Sequence, residues 1–375
     1  MADYNVLIVG AGVVGLALAE KISKNGRSVL LIERHSSFGN EISSRNSEVI
    51  HSGIYYDKNS LKATLCLKGN VALYDWCQKF NVPHSRTGKY IIATNNDELS
   101  GLDRLLRKGN DNNVEGLRIV EAEEVIRKNF GINCVGALYS PNSGIVDSHK
   151  LMESFIEKSK ENGCDLAYNH KVLRTEYSGN EYNTYLQVPS GESFTVTSDF
   201  FINSAGLDAD LIAESAGIDI DKFGYRINYV KGHYFKLRAG LSGIATNLIY
   251  PVPPVNFTGL GVHITLDLSG GLKLGPDVYY MDERVQDYTV PIEYLSKFYD
   301  SAKRFIPNLM PEDLSPDQSG IRPKLQKPGE PTRDFIISEE SEKGLPRMIN
   351  LIGIESPGLT SCLSIAEYVT KEFLC

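Results

Sequence analysis

The stretch NVLIVGAGVVGLALAEKISKNGRSVLLIER, Asn5 to Arg34, constrains this chain more than any other. Val6 to Val9 and Ser28 to Ile32 are continuous apolar runs, the pattern of parallel strands covered on both faces. Between them Val14 to Lys24 has helical spacing and stops near Asn25-Gly26, a C-terminal cap signal. Strand, helix and strand make a βαβ unit.

The turn inside that unit holds Gly10, Gly12 and Gly15 in GxGxxG spacing. The first glycine permits a tight turn, the second lets the backbone approach a pyrophosphate, and the third lets helix pack on strand. The helix amides that follow, at Val13 and Val14, then face the phosphates. Glu33 ends the second strand, 18 residues after Gly15, where a carboxylate accepts hydrogen bonds from ribose hydroxyls, and Arg34 follows it. A glycine turn that follows a strand and opens a helix reads as a dinucleotide site. The unit by itself suits FAD or NAD. GLGVHI near Gly261 lacks a third glycine, so no second dinucleotide site is readable and reduction by substrate, not by NADPH, is expected.

Composition narrows the partners. A chain of 375 residues suggests two domains around a shared cofactor. A net charge of -8 argues against nucleic acid, which needs a concentrated positive face. The six cysteines are scattered without a CxxC pair, which fits a reducing, cytoplasmic setting. The seven histidines form no HExxH or His-x-His pair, and no metal is expected. The buried-strand pattern begins by Val6, so no signal peptide or Arg-rich transit segment is expected. No apolar run approaches the roughly 18 residues of a membrane span, although peripheral membrane contact stays open.

Further along, Ser60 to Phe80 has helical spacing and GKYIIAT, Gly88 to Thr94, reads as a strand. Asn96 to Lys128 reads as two helices, CVGALYSPNSGIVD as strand and turn, and Ser148 to Asn162 as a helix. Leu166 to Ala205 alternates like a β-meander and ends in the apolar DFFINSAG. Short strands fill Gly224 to Lys324, with one helix near Ile292 to Arg304. The strand MINLIG then leads through IESPGLTS to a helix over Cys362 to Phe373.

In their order, NSEVIHSGIYY, SLKATLCLKGNVALYDWC, GKYIIAT, SGIVD, YPVP, LGVH and LGP carry a resemblance. From about residue 5 to 372 the chain resembles the D-amino-acid-oxidase-like FAD oxidoreductases, the DAO or glutathione-reductase-2 group. Within them it is most similar to the L-2-hydroxyglutarate dehydrogenase/oxidase branch. That branch typically has histidine where this chain has Arg45 and glycine where it has Glu48, and its C-terminal segment differs from GIRPKLQKPGEPTRDFII and GIESPGLTS.

The resemblance implies FAD, held non-covalently, and a set of site residues. Ser44, Arg45, Asn46 and Ser47 would wrap the pyrophosphate and ring edge, and the Ala205-Gly206 turn would lie beside the pyrophosphate. Val172 matches the position whose backbone meets the adenine. Gly358, Leu359 and Thr360 would open a helix against the pyrimidine end of the flavin, where a helix N-terminus favours anionic reduced flavin. His51 would lie in a loop that, in the resembled family, runs along the flavin ring. Hydride transfer from a secondary alcohol needs a base for the hydroxyl proton, and an imidazole titrating near neutrality suits that work. Arg322, in SGIRPKL, resembles the arginine that clamps a substrate carboxylate, for which a guanidinium fork is matched. Lys231 and His263 are weaker catalytic candidates, and Tyr55 and Tyr56 could face substrate.

The expected fold is α/β. It pairs a Rossmann-like FAD-binding domain from residues 1–83, 150–223 and 331–375 with an α+β substrate domain on a mixed β-sheet from residues 84–149 and 224–330. The expected reaction oxidises a small 2-hydroxy acid, L-2-hydroxyglutarate first, and passes electrons to oxygen or a quinone. Glycerol 3-phosphate oxidation, amino-acid oxidation and a flavin-binding protein without turnover are the alternatives.

Overall fold

The computed structural model describes residues 2–253 and 261–374, so Leu260 of the LGVH segment lies outside the described residues. The chain packs as two compact units. The first is Met1–Ser44, Ser148–Tyr229 and Arg322–Cys375, and the second is Arg45–Asp147 and Val230–Ile321.

In the first unit five parallel strands run side by side: Asp165–Ala167, Val29–Ile32, Tyr4–Val9, Ser193–Asn203 and Leu345–Ile352. In chain order the second and third of these strands lie on one side of Tyr4–Val9 and the fourth and fifth on the other, so a topological switch point falls beside Tyr4–Val9. Two more strands, Lys171–Tyr177 and Tyr182–Gln187, form an antiparallel meander onto the first half of Ser193–Asn203. Ile336–Glu340 closes the set, antiparallel to Leu345–Ile352. The helix Val13–Lys24 packs against both Ser148–Glu161 and Gly358–Phe373. It is apolar almost all round because it is enclosed: Leu16, Ala17, Leu18 and Ala19 are fully buried.

The second unit is built on a mixed sheet, nine-stranded among the described residues. Lys89–Ala93 sits inside it, parallel to Leu248–Pro251 and antiparallel to Gly136–Ser140. Tyr90, Ile91, Ile92, Leu138 and Ile249 give it a dry core. A small second sheet joins Val49–Ile50, Gly144–Val146 and His84–Ser85.

The expected elements are found with shifted ends. The Ser60 to Phe80 helix runs Leu61–Lys79, and the closing helix begins at Gly358, four residues before its expected start. Residues 96–128 hold the two helices Leu99–Asp111 and Ala122–Lys128, with a short strand Arg118–Val120 between them. The units also divide the chain differently from the expected boundaries. Residues 45–83 pack in the second unit, and 322–330 and 224–229 in the first. The physical reason is in the pairing. Val49 and Ile50 hydrogen-bond to Ile145 and Gly144, which draws the loop and helix after them into the second unit's sheets.

Candidate active site and cofactor cradle

The first unit assembles a cradle at the C-terminal edge of its parallel strands. Gly10 takes φ +100°, and a Cβ there would stand 2.6 Å from the Ser204 carbonyl oxygen. That close approach sets the Gly10 turn against the chain entering Ala205-Gly206, at the switch point where open α/β sheets bind ligands. A Cβ on Gly15 would stand 2.0 Å from the Gly10 oxygen, so only glycine lets the helix meet its strand here. Gly12 caps the Val13–Lys24 helix without a side chain, and no acidic residue stands in the first turn. The Val13 amide donates to Ser43 Oγ at 2.9 Å, while Gly12 and Val14 stay partly exposed. An uncapped, acid-free helix start at a glycine turn is suited to an anion.

Glu33 sits at the end of Val29–Ile32, buried, and its two carboxylate oxygens accept from the Ala11 amide at 2.9 Å and the His35 amide at 2.8 Å. The carboxylate therefore stiffens the glycine turn. The Glu33 carbonyl accepts from His170 N–H at 2.9 Å, which places Val172, two residues on, in the same neighbourhood. Arg34 is committed to Glu41 and Asp208. Ser44 donates its hydroxyl to the Gly39 carbonyl. Gly358 opens the Gly358–Phe373 helix directly, with Leu359 and Thr360 in its first turn and no acidic residue there. These residues fit a dinucleotide that brings negative charge to two helix starts.

The second unit positions His51. The Val49–Ile50 strand delivers it, its carbonyl accepts from Asn70 Nδ2 at 2.9 Å and from the Cys66 thiol at 3.5 Å, and the next residue, Ser52, accepts from Ser140 Oγ at 2.8 Å. Strand, helix and sheet thus clamp one short loop. Beneath it lies a dry cluster in which Tyr55 and His263 were expected from the sequence and Lys89 and Tyr250 were not: Lys89 is 1% exposed, and its ammonium stands 4.0 Å from the Tyr250 ring centroid and 5.7 Å from that of Tyr55. Tyr250 stacks on His263 with ring centroids 3.7 Å apart, as cross-strand neighbours on Leu248–Pro251 and the chain entering Ile264–Leu266. His263 Nδ1 lies 2.9 Å from the Gly261 carbonyl, which sets the tautomer with the proton on Nδ1 when the ring is neutral. The Tyr55 hydroxyl is buried without a hydrogen-bond partner.

Electrostatics in the cluster run one way. Burial, then the Lys89 charge, then His263, hold the His51 imidazole well below its ordinary value. Burial pulls Lys89 down to about 7, against a smaller opposite pull from the Cys66 thiol. Burial also pushes the Tyr55 and Tyr250 phenols and the Cys66 thiol up. His51 is therefore held neutral, and burial with the neighbouring charges makes it a weaker base than the near-neutral imidazole expected from the sequence.

The structure brings His51 and His263 together and holds Lys231 apart from that role. Lys231, 3% exposed, pairs with Asp287 at 2.8 Å and holds that carboxyl at about 2. Arg322 belongs to the first unit, on the strand Leu314–Lys324, and is partly exposed. Arg45, Asn46 and Ser47 belong to the second unit. Arg45 stacks its guanidinium 4.0 Å from the Tyr288 ring centroid, Asn46 Oδ1 accepts from the Glu48 amide at 2.7 Å, and Ser47 Oγ lies 2.7 Å from the Tyr234 hydroxyl. Glu48 takes φ +55°, the left-handed backbone that favours glycine, which is the residue the resembled branch typically has there. Among the described residues no group of three or more metal-ligating side chains gathers, and no helix is long and apolar enough to cross a membrane.

A parallel sheet with a glycine turn and an acid-free helix start at its switch point defines a dinucleotide-binding α/β protein. Residues 5–372 match the family described as DAO, FAD dependent oxidoreductase, and the chain belongs to that family. FAD is its cofactor. It is 39% identical to L-2-hydroxyglutarate dehydrogenase, mitochondrial, of Arabidopsis thaliana, over 99% of this chain and 83% of that protein. It is 30% identical to L-2-hydroxyglutarate dehydrogenase of Indibacter alkaliphilus, over 99% of this chain and 100% of that protein. Among solved structures it resembles the L-alpha-glycerophosphate oxidase of Mycoplasma pneumoniae with FAD bound: TM-score 0.85, 23% identity, 99% of this chain and 95% of that one. Glycine oxidase from Geobacillus kaustophilus follows at TM-score 0.81 and 18% identity, over 99% of this chain and 94% of that one. Those two share the fold.

Proposed function

We propose that this enzyme oxidises a small 2-hydroxy acid, L-2-hydroxyglutarate, to the 2-oxo acid. The observation that carries the chemistry is the clamped, neutral His51. An alcohol is too weak an acid to release its proton unaided as the C–H bond breaks, and a positioned neutral imidazole is the group that can take it. The substrate follows from likeness along the whole chain to two proteins named for that substrate.

In this reading the His51 imidazole receives the hydroxyl proton. Arg322 holds the substrate carboxylate through two parallel hydrogen bonds and so fixes the adjacent carbon. Gly10, Gly12, Val13, Val14 and Gly15 with Ala205-Gly206 hold the pyrophosphate, Glu33 the ribose, Val172 the adenine, and Gly358 to Thr360 the flavin. Ser44 to Ser47 wrap the cofactor. Bound FAD supplies the hydride acceptor. Electrons pass on to oxygen or a quinone-type acceptor. The reaction runs in the cytoplasm, consistent with five described cysteines that are all free and buried.

The test is anaerobic bleaching of the flavin band near ~450 nm, with L-2-hydroxyglutarate, glycerol 3-phosphate and a D-amino acid offered separately. Bleaching by L-2-hydroxyglutarate alone is expected, slowed about 10²- to 10⁴-fold in His51→Ala. Equal rates in His51→Ala and wild type would remove His51 as the base. Bleaching by glycerol 3-phosphate in its place would replace the substrate.

A further inference from the structure

Lys89 is a lysine in the wrong place for a structural residue. It occupies an interior strand with 1% exposure, and no carboxylate pairs with it among the described residues. Buried ammonium groups are costly unless paired, and lysine is almost never fully buried otherwise. What surrounds this one is two phenol rings, a thiol and two imidazoles. Tyr250 and Tyr55 present ring faces to the ammonium. His263 lies against the far side of Tyr250, Cys66 reaches in from the Leu61–Lys79 helix, and His51 lies within range of its charge.

Pairing geometry explains how the ammonium comes to lie there. Lys89 stands opposite Ser140 in the antiparallel ladder, and Ser140 Oγ donates to Ser52, the residue after His51. In the parallel ladder Tyr250 stands opposite Ile91, which shares a sheet face with Lys89. The strand that carries the lysine is thus registered to the loop that carries the histidine.

We propose that Lys89 is a positioning residue for His51: its ammonium, buried without a carboxylate and caged by Tyr55 and Tyr250, keeps the His51 imidazole in its proton-accepting form. The proposal rests on His51 as the base, and it adds the device that keeps the base ready in mildly acidic conditions. As pH falls, the proton goes to Lys89 first, because Lys89 titrates at about 7 and its charge then disfavours a second one on His51. The aromatic cage stabilises the cation without neutralising it. A carboxylate in the same place would do the reverse, raising His51 toward imidazolium.

The test is histidine-selective NMR of the FAD-loaded enzyme across pH, with the His51 signal assigned by its loss in His51→Ala. Wild-type His51 is expected to remain neutral at pH 6. In Lys89→Met, which keeps the length and removes the charge, its midpoint should rise by about one pH unit or more, and Lys89→Arg should restore the wild-type behaviour. An unmoved midpoint in Lys89→Met would overturn the proposal. So would wild-type His51 already protonated at pH 6.5, a result that needs no variant to fold. The bleaching rate separates this inference from the one beneath it. In Lys89→Met the acid-side midpoint of the bleaching rate should rise by about one pH unit or more, in step with the His51 signal. A His51 midpoint that shifts while the bleaching profile stays fixed would uphold Lys89 and remove His51 as the base.

Discussion

Gly15 is a residue at which one methyl group would open the cofactor cradle. Its missing Cβ would stand 2.0 Å from the Gly10 carbonyl oxygen and 2.8 Å from Ser204 Oγ, and neither backbone nor sheet edge can retreat without opening the cradle. Gly15→Ala should therefore cost about 1–3 kcal/mol in urea unfolding and strip the purified protein of its yellow colour. Gly26 supplies the control. It also has a positive φ, +81°, but a Cβ there meets nothing within 4 Å. Gly26→Ala should lose about 1 kcal/mol to backbone strain and retain its flavin. Equal flavin content in the two variants would mean that the cradle tolerates a helix pushed off its strand. Both glycines were legible in the sequence, but for different reasons. Gly15 belongs to a spaced motif whose geometry is local, and Gly26 ends a helix. Lys89 was not legible. A lysine at the start of GKYIIAT looks like an ordinary strand end, and its burial depends on Tyr250 and Tyr55, which are 161 and 34 positions away in the chain.

Among the elements, the Leu61–Lys79 helix shows how local signals and tertiary packing divide the work. Ser60 caps it, its Oγ accepting from the Ala63 amide at 3.1 Å. From its N-terminal half and its middle the helix sends Cys66 and Asn70 to the His51 carbonyl. Ser60→Ala should lower stability by about 1 kcal/mol in urea titration and leave the bleaching rate with saturating substrate as it was, because losing the cap frays the first turn while Cys66 and Asn70 hold the loop from the turns after it. A Ser60→Ala enzyme that lost rate in proportion to stability would mean that the helix start also sets the His51 loop. The helix itself was readable from apolar spacing. Its unit was not, since periodicity reports a buried face and not the sheet that buries it. The closing helix makes the converse point. Its start at Gly358 was expected as an anion-facing terminus, and only the length of its regular part was underestimated, because proline and glycine at 357 and 358 look like a turn.

At the scale of the whole molecule, the unpaired Lys89 should be visible in the stability curve. Its folded-state value of about 7 lies below the roughly 10.4 of an unfolded lysine. Between those values the unfolded chain binds more protons than the folded one, so stability rises with pH across that window. Below pH 7 both states carry the charge and the burial cost is present in full. By pH 10 most of it is gone. Lys89→Met removes the titration, so the variant should be the more stable protein at pH 6.5, by up to about 5 kcal/mol, with the gap closing as pH approaches 10. Chemical unfolding of both FAD-loaded proteins at pH 6.5, 8 and 9.5 measures the gap directly. A variant less stable than wild type at pH 6.5 would mean that the ammonium contributes to the fold through its tyrosine cage. A more stable variant with a weaker acid-side rate would mean that the enzyme keeps a destabilising charge in its core for the protonation state of one histidine.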